Sequence, residues 1–213
     1  VSNPLPSRLL VVTDRHQAAL PLDDVVAQVV AAGARWIWLR DRDLPAAERR
    51  DLARRLLGLA RAHGASLSVG GDVELADEIG ADGVHLSANA PIAAARARLG
   101  AGALIGLSAH HEADVARAAA EGADYATLSP IFASASKQGY GPALGAAALA
   151  RAAAHGLPLL ALGGITAERA DDCLRAGAAG IATMGDVMRA AARPDGVHDV
   201  VRRYIAALHA PAG

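Results

Sequence analysis

The chain has 213 residues, of which 53% are hydrophobic and 20% charged, and its formal net charge is −1 at pH 7. That balance predicts a globular domain with ample core material and no general attraction to nucleic acid or to an anionic membrane surface. There is no apolar run of about 18 residues and no secretory-type leader, and a lone Cys173 excludes an internal disulfide or a cysteine metal cluster. A reducing cytoplasm is the expected compartment, with Cys173 a small core residue on a helix.

The chain opens with the apolar run LLVVTD (9–14), and one phrase then recurs: an alanine-rich helical stretch, a glycine, and a short apolar run. In order these are AGARWIWL, HGASLSV, IGADGVHL, LGAGALIGL, EGADYATL, HGLPLLAL and AGAAGIATM. Gly33, Gly64, Gly80, Gly100, Gly122, Gly156 and Gly177 stand where a helix ends, which predicts left-handed C-caps. Eight strands alternating with helices predict a parallel sheet, because parallel neighbours need crossovers. At this length they predict a single (β/α)8 barrel over residues 1–213. An open doubly wound sheet is the alternative, but no GxGxxG follows the first strand. The segment VHDVVRRYIAALHA reads as a closing amphipathic helix, and AERRDLARRLLGLARAH as an outer helix with a solvated basic face opposite Leu52, Leu56, Leu57 and Leu59.

In such a barrel the site gathers at the C-terminal ends of the strands. These ends carry Asp14, the run Arg40–Asp41–Arg42–Asp43, His85, Ser108, Ser129, Gly163–Gly164 and Thr183–Gly185. The set suits a small molecule bearing an oxyanion. The Arg40–Asp43 run either faces the mouth or forms an exposed, self-paired loop. Glycines at the ends of strands seven and eight let backbone N–H groups approach a phosphate; the competing reading of Gly163–Gly164 is a tight turn.

With these residues placed, the chain resembles the thiamine phosphate synthase/TenI family along nearly its whole length, through VVTDR, GADGVHL, GLSAHH, GADYATLSPIFASASK, ALGGIT and GIATMG. The synthase branch joins a pyrimidine methyl diphosphate to a thiazole phosphate with Mg²⁺ on the diphosphate, and the TenI-like branch shifts a proton on a thiazole carboxylate phosphate. The resemblance implies that Arg40, Arg42, Ser108, Ser134, Ser136 and Lys137 meet phosphate or diphosphate. It implies that Gly163, Gly164, Met184 and Gly185 cradle the thiazole phosphate, and it suggests a homodimer.

Four departures stand out. Trp38 replaces a glutamine, and strand parity sends Trp36 and Trp38 into the barrel beneath Arg40, either to wall off the pyrimidine pocket or as an aromatic core. Gly70–Gly71 replaces Asn-Asp, leaving Asp72 as a metal ligand only if the register shifts. Ser87-Ala88-Asn89-Ala90 brings no carboxylate, whereas Mg²⁺ normally takes one or two. Pro130 stands where TenI-like members carry a histidine, so His110 is the candidate proton carrier. His85 is a pocket-wall residue that is either a second proton carrier or a ring hydrogen-bonded at the rim. The expected function is therefore a TenI-like barrel binding a phosphorylated thiazole. The alternatives are a true synthase, with Mg²⁺ as cofactor, and a non-catalytic binder of a phosphorylated ligand.

Overall fold

Every apolar run becomes a strand of one closed parallel barrel in the computed structural model, which describes residues 3–133 and 143–209. The strands are β1 (Leu9–Val12), β2 (Trp36–Leu39), β3 (Ser66–Gly70), β4 (Gly83–Leu86), β5 (Leu104–Ala109), β6 (Tyr125–Leu128), β7 (Leu159–Ala161) and β8 (Gly180–Thr183). They pair in sequence order, and β1 closes the ring on β8 with Leu10 opposite Ala182. The helices follow as α1 (Leu22–Ala31), α2 (Ala46–Ala62), α3 (Val73–Ile79), α4 (Ile92–Leu99), α5 (Glu112–Ala120), α6 (Gly145–Ala153), α7 (Ala170–Arg175), α8 (Gly185–Ala190) and α9 (Gly196–His209). All seven glycines expected after helices have positive φ; at Gly80 the values 67° and 42° are those of a left-handed cap, returning N–H bonds to Ala76 and Asp77.

The core has two layers, as strand parity requires. Between the strands and the helix ring lies the larger one, with Val11, Ile37, Leu67, Val84, Ile105, Ala126 and Ile181 facing out from the barrel. Inside it are Leu10, Val12, Trp36, Trp38, Leu104, Tyr125, Leu160 and Ala182. Both indoles point inward as expected. The rings fit because glycines face them: a Cβ on Gly106 would sit 2.0 Å from the Tyr125 ring, and one on Gly70 would sit 2.7 Å from Trp38 Nε1. Cys173 is buried in α7, where burial raises its thiol pKa to about 11.

The basic helix α2 is solvated along Arg50, Arg54 and Arg55, which pair with Glu78 and Asp23 on neighbouring helices. Arg49 departs from that reading. It is buried on the core-facing side of α2, and its guanidinium donates to the carbonyls of Asp41 and Gly70 and to Asp72.

Candidate active site at the barrel mouth

The C-terminal ends of β1 and β2 show what the charges after WIWL face. Asp41 turns inward and is buried, accepting from the Thr13 hydroxyl at 2.5 Å and from the Arg15 N–H at 2.7 Å. Asp43 stays exposed and pairs with Arg15 and His16 across the β1 loop, and the hydrogen bonds from these two hold its carboxyl well below the usual range. The two aspartates thus tie the β1 and β2 loops together, in place of pairing within their own run. Arg40 and Arg42 remain on the open side. Arg40 is half-exposed and 3.8 Å from Asp14, and Arg42 lies over Gly71. Burial on one side, with Arg40 and Arg49 nearby, lowers the pKa of Arg42.

Asp72, the conditional metal candidate, has both of its carboxylate oxygens engaged by the protein. It caps α3, accepting from the Leu75 N–H at 2.9 Å through one oxygen and from Arg49 at 2.9 Å through the other. Among the described residues no three His, Cys, Asp or Glu side chains come together as a cation site. Arg40 and Arg42 stand on the open side, and Asp14, Asp41 and Asp72 already accept hydrogen bonds, so a Mg²⁺ held here would draw mainly on substrate oxygens and water.

His85 is fully buried inside β4, below the rim where it was expected. Its ring stacks on Trp38 at 3.8 Å between centroids. Nδ1 is 2.9 Å from the Tyr125 hydroxyl, and Nε2 is 3.0 Å from Ser108 Oγ and 3.3 Å from Thr127 Oγ1. Burial, with Arg42 adding a smaller push, lowers its pKa to about 3, so the ring is neutral at pH 7. Deeper still, Trp36 Nε1 donates to Ser68 Oγ at 3.0 Å, and Ser68 also interacts with the Tyr125 hydroxyl. The indole can only donate. The arrangement satisfying every group therefore runs outward from Trp36 to Ser68, Tyr125, His85 and Ser108. It places the His85 proton on Nε2 and leaves the Ser108 hydroxyl free to donate at the mouth. One indole is left out: Trp38 Nε1 is buried without a partner among the described residues, a defect that costs about 1–3 kcal/mol.

His110 follows β5, two residues past Ser108. Its backbone N–H donates to Asp114, and its Nδ1 lies 3.0 Å from the Ser129 carbonyl oxygen. A carbonyl only accepts, so Nδ1 carries a proton, and in the neutral ring this places the lone pair on Nε2.

At the opposite side, Gly163 and Gly164 have φ of 94° and 63° and press on the segment after β6. A Cβ on Gly164 would sit 2.5 Å from the Ala133 carbonyl oxygen. This contact makes them a tight turn, and it also brings their backbone to the mouth. Gly185 opens α8 directly after Met184, and the first amides of a helix have no intrahelical acceptor. Tyr204 of α9, which carried no sequence signal, sits with its hydroxyl 2.9 Å from the Ile165 carbonyl and 3.0 Å from Asp186. It ties together the segments that follow both glycine turns. Ser134, Ser136 and Lys137 lie outside the described residues.

Fold and mouth together define a (β/α)8 barrel with cationic and hydroxyl groups at the ends of β2 and β5 and glycine turns at β7 and β8. Residues 9–187 match the family model described as thiamine monophosphate synthase. A putative thiamine-phosphate synthase of Geobacter sulfurreducens is 41% identical over 84% of this chain and 86% of its own length. A thiamine-phosphate synthase of Methanoculleus marisnigri is 44% identical over 78% and 79%. The solved thiamine phosphate pyrophosphorylase of Pyrococcus furiosus superposes with a TM-score of 0.82 at 26% identity, covering 94% of each chain. The chain belongs to the thiamine phosphate synthase/TenI family.

Proposed function

We propose that this barrel binds a phosphorylated thiazole and moves a proton on it, in the TenI manner, rather than joining it to a pyrimidine diphosphate. Displacement of pyrophosphate demands the strongest charge stabilisation at the leaving group. The observation that carries the reading is the engagement of both Asp72 oxygens by Leu75 and Arg49, beside a cationic mouth. Gly163, Gly164, Met184 and Gly185 are the proposed backbone cradle for the phosphate, in keeping with the phosphate sites of barrels after strands seven and eight. Ser108 presents a hydroxyl donor, and His110 Nε2 is the base that takes a ring-adjacent proton and returns it one position on.

The test offers the purified chain a thiazole carboxylate phosphate and follows tautomer exchange by NMR, with His110→Ala beside it. Exchange that is catalysed and lost in the variant supports the reading. A second assay supplies thiazole phosphate, pyrimidine methyl diphosphate and Mg²⁺, and robust pyrophosphate release would overturn it in favour of the synthase reaction, the activity named in the relatives at 41% and 44% identity. The two indoles inside the barrel favour a third reading, a binder without turnover, which phosphate-dependent affinity with neither reaction would establish.

A further inference from the structure

Inside the barrel, Ser108 ends a column of polar groups that is otherwise shut away from the mouth. Trp36, Tyr125 and His85 are wholly buried and Ser68 nearly so, whereas Ser108 is half-buried. Gly106 makes room for the middle of the column. It stands two residues before Ser108 on β5, on the same inward face, and a Cβ there would sit 2.5 Å from the Tyr125 hydroxyl oxygen. That hydroxyl is 2.9 Å from His85 Nδ1, and His85 Nε2 is 3.0 Å from Ser108 Oγ. Trp38, stacked on the His85 ring at 3.8 Å, holds its plane. The foot of the column is the Trp36 indole, which gives one proton to Ser68 and accepts none.

A column that begins at a donor-only group has a fixed polarity, and it cannot pass a proton out. If Ser108 gave its proton to a ligand, His85 would have to replace it from Nε2, Tyr125 would replace the one on Nδ1, and Ser68 the one on Tyr125. Trp36 would be left as an indole anion in an apolar interior. Burial opposes a charge at the middle links as well, lowering the His85 pKa and raising that of Tyr125. We infer that Tyr125 and His85 are positioning residues that hold the Ser108 hydroxyl as a hydrogen-bond donor to the ligand, and that Ser108 neither supplies nor takes the proton the reaction moves. The ligand atom over Ser108 is then an acceptor, an anionic oxygen or an unprotonated ring nitrogen, and proton transfer falls to His110. This rests on the reading that a phosphorylated thiazole sits over Ser108 and His110.

The full chain is titrated by calorimetry with the thiazole carboxylate phosphate, and tautomer exchange is followed by NMR across neutral pH. Ser108→Ala is expected to weaken binding roughly tenfold, and Tyr125→Phe, which keeps the ring and removes the hydroxyl, roughly threefold. Because Tyr125 acts through Ser108, the double variant binds no more weakly than Ser108→Ala alone. The apparent pKa of kcat in Tyr125→Phe stays at its value in the unaltered chain. Trp36→Phe, at the foot of the column, gives the same pattern at smaller amplitude and carries the test if Tyr125→Phe does not fold. Leu104→Ala, a hole in the same inner layer, lowers stability and leaves affinity unchanged, which separates packing from positioning. Losses that add in the double variant, affinity indifferent to Tyr125→Phe, or a shifted apparent pKa would each overturn the inference and leave the thiazole reading standing. No saturation by the thiazole below about 10 mM would sink that reading instead. The same double variant is then titrated with inorganic phosphate, where non-additive losses keep the inference, and additive losses or no saturation overturn it.

Discussion

Trp38 and Gly70 are a matched pair across β2 and β3: the indole Nε1 occupies the place that a side chain on Gly70 would claim, 2.7 Å from its Cβ position. The backbone of Leu39 and Arg40 closes the same space, at 2.8 and 3.3 Å, so Gly70 cannot gain a side chain while the indole stays. Gly70→Ala is expected to cost about 1–3 kcal/mol in urea denaturation, the usual range for overpacking. Combined with Trp38→Gln, which withdraws the indole, part of that cost is recovered as a coupling of about 0.5–3 kcal/mol. Additive costs would show that the two positions are independent.

Why the fold was legible and the site only half so follows from these same residues. Each strand after β1 was announced by the glycine before it, because positive φ at a helix end is a local backbone demand that side chains rarely meet. Strand parity likewise put Trp36 and Trp38 inside correctly. Arg49 escaped notice because it is one of four arginines in the run AERRDLARR; yet it stands three and seven residues before Leu52 and Leu56, in the buried stripe. A cation in an apolar stripe is the signal that it has buried acceptors. Tyr204 had no such mark, since an aromatic on the apolar face of a closing helix reads as core. The destination of Asp41, Thr13 in another strand, depends on how β1 and β2 are registered, which no local pattern states.

The buried imidazole predicts a pH signature. His85 has a folded pKa near 3, below the value near 6.5 it regains on unfolding, so between those limits the unfolded chain binds one more proton than the folded chain. Its contribution is therefore fully present above pH 6.5 and is lost as pH falls, by about 1.4 kcal/mol per pH unit. Equilibrium denaturation from pH 7 to pH 4 should show this slope, reduced by that amount in His85→Gln. An equal slope in both proteins would assign the acid sensitivity elsewhere.

The outward chain of donors from Trp36 has a tautomer as its readout. Nitrogen-15 NMR of the imidazoles should find His85 protonated on Nε2, facing Ser108 and Thr127, and unchanged from pH 8 to pH 5. Trp36→Phe keeps the ring stack on Tyr125, whose centroid lies 4.7 Å away, and removes the donor that starts the chain. It is expected to let Ser68 and Tyr125 reverse, giving a mixture of His85 tautomers. Ser108→Ala should leave the tautomer in place through Thr127. A single Nδ1-protonated form in the unaltered protein would refute the direction of the chain, and with it the free hydroxyl proton of Ser108.

Arg49 links stability to the shape of the mouth. Three acceptors from three points converge on its guanidinium: the Asp41 carbonyl after β2, the Gly70 carbonyl at the end of β3, and the Asp72 carboxylate at the start of α3. Arg49→Ala takes the shared donor from the Asp41 and Gly70 carbonyls and from Asp72, and leaving buried acceptors unsatisfied costs about 1–3 kcal/mol each. Arg50→Ala on the same helix loses only an exposed pair with Glu78 and should cost no more than about 1 kcal/mol. Lysine at 49 reaches with one ammonium where the guanidinium forks, so Arg49→Lys should fall between them. Because Gly70 and Asp72 flank Gly71, slackening this clamp also moves the backbone beneath Arg42. Arg49→Lys should accordingly speed amide hydrogen exchange at Gly70 and Gly71, while Arg50→Ala leaves it unchanged. A full loss of stability with exchange at Gly70 and Gly71 unchanged in Arg49→Lys would confine Arg49 to holding the fold.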